Sequence, residues 1–146
     1  MTETIARVPA ATATRARPAT AWLPLSVALL AALGFALFLV WPYYANGLHH
    51  LPLDEVAGGG HDPKNLWPMG EETGMAVAFR IGGMLTVLFG PWVALGAGLF
   101  GAYAAVRHRQ DRTRWVPGAL AGVVMIGVLA WLMSPMGSAL VSWWLD

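Results

Sequence analysis

Residues 22–41 read WLPLSVALLAALGFALFLVW, an unbroken run of twenty residues without a charged side chain. At about 1.5 Å rise per residue such a run reaches roughly 30 Å, the thickness of a bilayer's hydrocarbon core. Trp22 stands at one end and Trp41, Tyr43 and Tyr44 cluster at the other, where amphipathic rings settle at the membrane–water boundary. Pro24 falls in the first turn, where its missing N–H costs little. Pro42 follows the last turn and favours a stop. The run is longer than the apolar part of a cleaved leader, and Tyr43-Tyr44-Ala45 puts a bulky ring where cleavage needs a small residue, so a retained anchor is predicted.

Two further apolar blocks follow. One covers about 75–106, with Arg80 as its single charge and Pro91 in its middle, where a kink is expected. The other starts near Pro117 and stays apolar to Met133, is interrupted by Ser134 and Pro135, and resumes through Trp143 and Trp144. It is read as one kinked span over 117–143; a span ending at Pro135 and followed by a short interfacial helix fits the pattern equally. The prediction is an all-α integral membrane protein of three transmembrane helices. A tail, 1–21, rich in Ala, Thr, Arg and Pro, is expected to be disordered, and residues 22–146 form one membrane domain.

Composition agrees. Hydrophobic residues make up 57% and charged residues 12% of the 146, and a water-facing domain carries about twice that share of charge. A net charge of +1, with no basic stripe, argues against a nucleic-acid partner. The absence of cysteine removes disulfides, thiolate metal sites and cysteine nucleophiles.

Orientation follows from the basic residues flanking the spans. Arg7, Arg15 and Arg17 lie in the tail, and Arg107, Arg109, Arg112 and Arg114 in the short loop 107–115. The long loop 42–74 holds Lys64 together with Asp54, Glu55, Asp62, Glu71 and Glu72. The expected topology therefore has the N-terminus and loop 107–115 in the cytoplasm, and loop 42–74 and the C-terminus outside. Eight of the nine basic residues are Arg, a bias associated with GC-rich bacterial genomes, so the expected location is a bacterial inner or cytoplasmic membrane.

Helices in lipid associate by close packing, which small residues four apart allow. The middle span carries Gly90, Ala94, Gly98 and Ala102, with Ala97, Gly101 and Ala105 one strip around, and is expected at the centre of the bundle. These strips pack the three helices together, or leave one free for another subunit or a second copy.

Loop 42–74 is the region where specific chemistry is expected, since loops beyond about 12–15 residues are usually functional or disordered. Its Trp67, Leu48, Leu51, Leu53, Leu66 and Met69 favour order. His49, His50 and His61 are candidate ligands for copper or zinc, with Met69, Met75, Met133 and Met136 as soft donors and Asp54 or Asp62 as hard ones. No paired-histidine helix spacing supports them, and solvated histidines are the simpler reading. No histidine lies within the spans, which argues against intramembrane haem. Arg80 is expected to snorkel and to pair with Asp54, Asp62 or Asp146, with a substrate or lipid-phosphate contact as the other reading. Glu71 and Glu72 suit the start of a helix. No Ser–His–carboxylate grouping or polar track along the spans suggests catalysis or an autonomous pathway. The leading expectation is a non-catalytic accessory or assembly subunit of a larger membrane complex, in contact with lipid and with other membrane subunits or itself. The alternative is a small binding or transport protein that uses the outer loop.

Overall fold

The computed structural model describes residues 19–145; the predicted tail, apart from its last residues, and Asp146 lie outside them. The described residues are helical, with no strand among them. Helix α1 (Ala19–Phe35) passes through a π turn, Ala36–Val40, into α2 (Trp41–Ala45). A segment of short turns follows, with the five-residue α3 (Leu53–Ala57). Then come α4 (Gly74–Arg107), α5 (Arg112–Leu132) and α6 (Pro135–Leu145). Three helices, Thr20–Ala45, Gly74–Arg107 and Arg112–Leu132, are long and apolar enough to cross a membrane.

The first span continues past Trp41, so Pro42 does not end it. Proline has no N–H to offer the carbonyl four residues back, and its ring crowds that carbonyl; here the carbonyl is that of Phe38. The helix widens at this point, with the Trp41 N–H bonding to Ala36 in the five-residue register of a π turn. The Phe38 carbonyl instead accepts the indole N–H of Trp144 at 2.9 Å. The helix ends at Ala45, where Asn46 caps it and Gly47 turns the chain away at φ 72°, a left-handed conformation that glycine adopts at no steric cost.

Helix α4 is unbroken through Pro91 and has 34 residues, about 51 Å and some 20 Å more than a bilayer core. Thr73 caps its start by accepting the Ala76 N–H at 3.3 Å. Helix α5 begins at Arg112 rather than at Pro117, because Asp111 caps it by accepting the Thr113 N–H at 3.1 Å.

The third apolar block is not one span to 143. Helix α5 stops at Leu132, and Ser134 starts a new helix: its hydroxyl donates to the Trp131 carbonyl at 2.6 Å and accepts the Gly137 N–H at 3.1 Å. Pro135 then occupies the first helical position, where its fixed φ suits a helix start. The residues that interrupt the apolar pattern are thus a cap and a restart.

Helices α1, α4 and α5 pack against one another as a three-helix bundle, and α6 lies against α3 and the π turn. At one end, hereafter the arginine end, Arg107, Arg109, Arg112 and Arg114 surround the α4–α5 turn. At the other, the loop end, Leu48, Val56 and Met69 of segment 46–73 share a buried core with Leu39, Tyr43, Leu140 and Trp143.

Candidate functional site

The loop end is a built structure. Trp143 is fully buried and donates its indole N–H to the His61 carbonyl at 2.6 Å. The neighbouring Trp144 ring lies over Gly83, where a Cβ would meet it at 2.0 Å, and bonds to Phe38. Asn46 ties the segment's two halves together: its amide donates to the Trp67 carbonyl at 2.7 Å and accepts the Trp67 N–H at 3.1 Å. Each of these bonds satisfies a backbone group that no regular ladder serves, the requirement any ordered irregular segment must meet.

Arg80 belongs to the same construction. Its guanidinium donates to the carbonyls of Met69 and Lys64, the latter at 3.5 Å. The carboxylate partners expected from the sequence are replaced by backbone carbonyls, with Asp146 outside the described residues. The side chain straps residues 64–69 to α4, and it lines a groove of about 330 Å³. Lys64, Met84, Val87, Leu88, Trp144 and Leu145 line it as well.

The histidines sit in two settings. His49 and His50 are exposed and their rings lie tilted against each other, centroids 3.9 Å apart, while His61 is held through its carbonyl by Trp143. Among the described residues no three His, Cys, Asp or Glu side chains gather in a way that could hold a metal ion. The methionines scatter as well: Met69 is fully buried in the loop-end core and Met133 is 86% exposed.

The packing strips have definite partners. Gly90 faces the Phe35 ring and Gly98 the Met125 side chain, Ala94 is fully buried, and Ala102 is exposed. On the neighbouring strip Gly101 meets Gly118 backbone to backbone: a Cβ at Gly118 would lie 2.4 Å from the Gly101 carbonyl oxygen. The small residues of α4 thus serve two neighbours within the chain, α1 and α5. A second apolar groove, about 350 Å³, runs between α1 and α5. Ala32, Ala36 and Gly127 form its small walls, and Phe35, Val128 and Trp131 its bulkier ones. A Cβ at Gly127 would meet nothing within 4 Å.

At the arginine end the Asp111 carboxyl is held below the usual carboxylate range, first by the Thr113 hydroxyl, which donates to it at 2.6 Å, then by the Thr113 amide and the nearby charges of Arg114 and His108; the desolvation that would raise it is outweighed. Arg114 completes the turn with an ion pair to Asp111 at 3.3 Å.

Sequence reasoning passed over Asn46, Trp143 and Trp144 as site residues. Signals existed in the Asn46-Gly47 pair, a helix-stop and turn signature, and in Ser134-Pro135, a helix start. The bonding partners of the two indoles lie 82 and 106 residues away, beyond any local pattern. No family model, curated protein or solved structure matches the chain.

Proposed function

We propose that this chain is a non-catalytic accessory or assembly subunit of a larger membrane complex. It would sit in a bacterial cytoplasmic membrane with its arginine end inside and its loop end outside. The observation that carries the reading is the groove between α1 and α5. Its small walls at Ala32, Ala36 and Gly127 allow a neighbouring helix the close approach that drives association in lipid, and no other helix of the described chain fills it. The core supports the same reading: no charged side chain is buried among the described residues. The four arginines at one end against Asp54, Glu55, Asp62, Glu71 and Glu72 at the other support the orientation.

The test is affinity purification of the tagged full-length protein in mild detergent, with mass spectrometry of what it carries. Another membrane chain in fixed stoichiometry, lost on Gly127→Leu, is the expected result. Gly127→Leu fills the groove from an open position and leaves the bundle intact. A protein that purifies alone and monomeric, or a partner retained undiminished by the variant, overturns the proposal. Orientation has its own test, made clean by the lack of native cysteine. In intact cells an impermeant maleimide should label Gly59→Cys and leave Gln110→Cys unlabelled; the reverse pattern inverts the topology.

A further inference from the structure

The turn between α4 and α5 forms a polar concavity. Arg107, His108, Arg109, Gln110 and Asp111 line a cavity of about 370 Å³. Hydrogen bonds fix its frame: the His108 N–H reaches the Ala104 carbonyl at 3.0 Å and ends α4, and the Asp111 N–H reaches the His108 carbonyl at 2.8 Å. Asp111 then caps α5 through the Thr113 amide. The backbone of the concavity is therefore set before anything enters it.

The charge of this end has one sign. Residues 107–115 hold four arginines and one aspartate, an excess of three positive charges. Residues 1–18 hold Arg7, Arg15 and Arg17 against Glu3, so they carry further positive charge and cannot reverse the sign. Asp54, Glu55, Asp62, Glu71 and Glu72 belong to the loop end, and Leu145, the residue before Asp146, lines the groove beside Arg80 there, about 40 Å along α4 from Arg107. The one carboxylate that lines the cavity, Asp111, already accepts the Thr113 amide and hydroxyl and pairs with Arg114. Arg107 and Arg109 are exposed, and among the described residues neither makes an ion pair.

Aromatic residues set the depth of the turn. Tyr103 of α4 is 60% exposed and Trp115 of α5 is 42% exposed, and amphipathic rings of this kind settle at the membrane–water boundary. Arg107 lies four residues beyond Tyr103, about 6 Å further out on the same face of the helix. Arg112 stands about 4.5 Å beyond Trp115 on α5. Each headgroup region is roughly 5–8 Å thick, so the turn sits at the level of the lipid phosphates.

We infer that this turn binds the headgroup of an anionic glycerophospholipid in the leaflet at the arginine end, with the phosphodiester at Arg107 and Arg109. A planar guanidinium fork matches a phosphate's oxygens. The excess of positive charge favours a headgroup without a compensating amine, so phosphatidylglycerol is preferred to phosphatidylcholine. The depth set by Tyr103 and Trp115 selects a lipid phosphate over a soluble anion, and the bound lipid pins the α4–α5 turn in its leaflet.

The experiment is native mass spectrometry of the full-length protein released from nanodiscs made of equal parts phosphatidylglycerol and phosphatidylcholine. The expected result is retained phosphatidylglycerol, favoured about tenfold over phosphatidylcholine. Arg107→Gln and Arg109→Gln should each lower that preference about fivefold, the share of one basic residue near a membrane surface. The double variant should abolish it at an unchanged melting temperature, since both side chains are exposed. Asp111→Asn removes the cavity's carboxylate and keeps an oxygen that can cap α5, so it should raise the preference by about the same factor. Equal retention of the two lipids overturns the inference, as does a preference that survives the double variant or fails to rise in Asp111→Asn. Displacement of the lipid by millimolar inorganic phosphate would reassign the arginines to a free anion and overturn it as well.

Discussion

The arginine end and the loop end of this molecule are held together by different physics. At the arginine end, α4 and α5 meet through Gly101, Gly118, Ala105 and Ala121, so closely that backbone lies on backbone. At the loop end the contacts are large rings and long polar side chains: Trp143 to His61, Trp144 to Phe38, Asn46 to Trp67, Arg80 to Met69. Lipid is as apolar as a leucine side chain and gives helices no hydrophobic reason to associate, so close van der Waals approach must supply it. The loop-end segment has irregular backbone, and its ordering must be offset by buried apolar surface and by partners for each carbonyl and N–H. One chain therefore uses a membrane solution at one end and a solution typical of soluble proteins at the other.

The sharpest way to break that contrast is Trp143→Ala. A fully buried Trp is lost together with the donor to His61, at a cost of about 3–5 kcal/mol. The expected result is rapid protease cutting within residues 51–66 while the α1–α4–α5 bundle keeps its helicity. Simultaneous loss of both would show one cooperative unit rather than two regions. Next in size is Gly118→Leu. The new side chain has backbone in its way rather than a flexible side chain, and such overpacking costs about 1–3 kcal/mol or more. Unfolding in a graded detergent titration should occur earlier, with the protease pattern of the loop end unchanged. Gly127→Leu, where the space is open, should change stability by no more than about 0.5 kcal/mol. Equal effects at the two glycines would remove the case for backbone contact at the arginine end.

Asn46→Ala sharpens the comparison from the other side. It removes both bonds to Trp67, which are exposed, so water takes over the amide and carbonyl and the cost is about 0.5–1.5 kcal/mol per bond. Hydrogen exchange should show the loss at residues 65–69 and leave α5 unaffected. A Gln in place of Asn46 has the same groups on a longer stem and should restore little, since the bond pair depends on reach.

The same contrast decides what could be read from the sequence. Apolar length, terminal aromatics and small residues four apart are local patterns, and they located the three spans and the α4 packing strips; Gly90, Ala94 and Gly98 are buried as those patterns require. The loop end was legible only as an apolar, order-prone segment. Its histidines are legible as imidazole donors, but no local pattern marks the His61 backbone carbonyl as the acceptor for Trp143. Pro42 looked like a stop because a proline removes one bond; the donor that takes up the freed carbonyl, Trp144, lies 106 residues further on. Ser134 and Pro135 interrupt a pattern that continues on both sides of them, and periodicity cannot tell a kink from a restarted helix. The α1–α5 groove is likewise a product of how two helices lean together, and neither helix carries it alone.

The smallest expected effect is a pH dependence confined to the arginine end. Asp111 caps α5 through the Thr113 amide and hydroxyl, and its folded pKa is lowered by those bonds and by Arg114. A carboxyl whose folded pKa lies below its unfolded value of about 3.9 adds stability that is fully present above that value and is lost as pH falls through the lowered one. The first turn of α5 should therefore hold unchanged from neutral pH down to about 4 and fray only below. Corrected protection of the Thr113 amide, followed by hydrogen exchange in the full-length protein, reads this directly. Asp111→Asn keeps an oxygen that can cap the helix but has no proton to gain in this range, so its Thr113 protection should lose the acid dependence. If the acid fraying persists undiminished in the Asn variant, it comes from another group, and the arginine-end turn is held by its backbone alone.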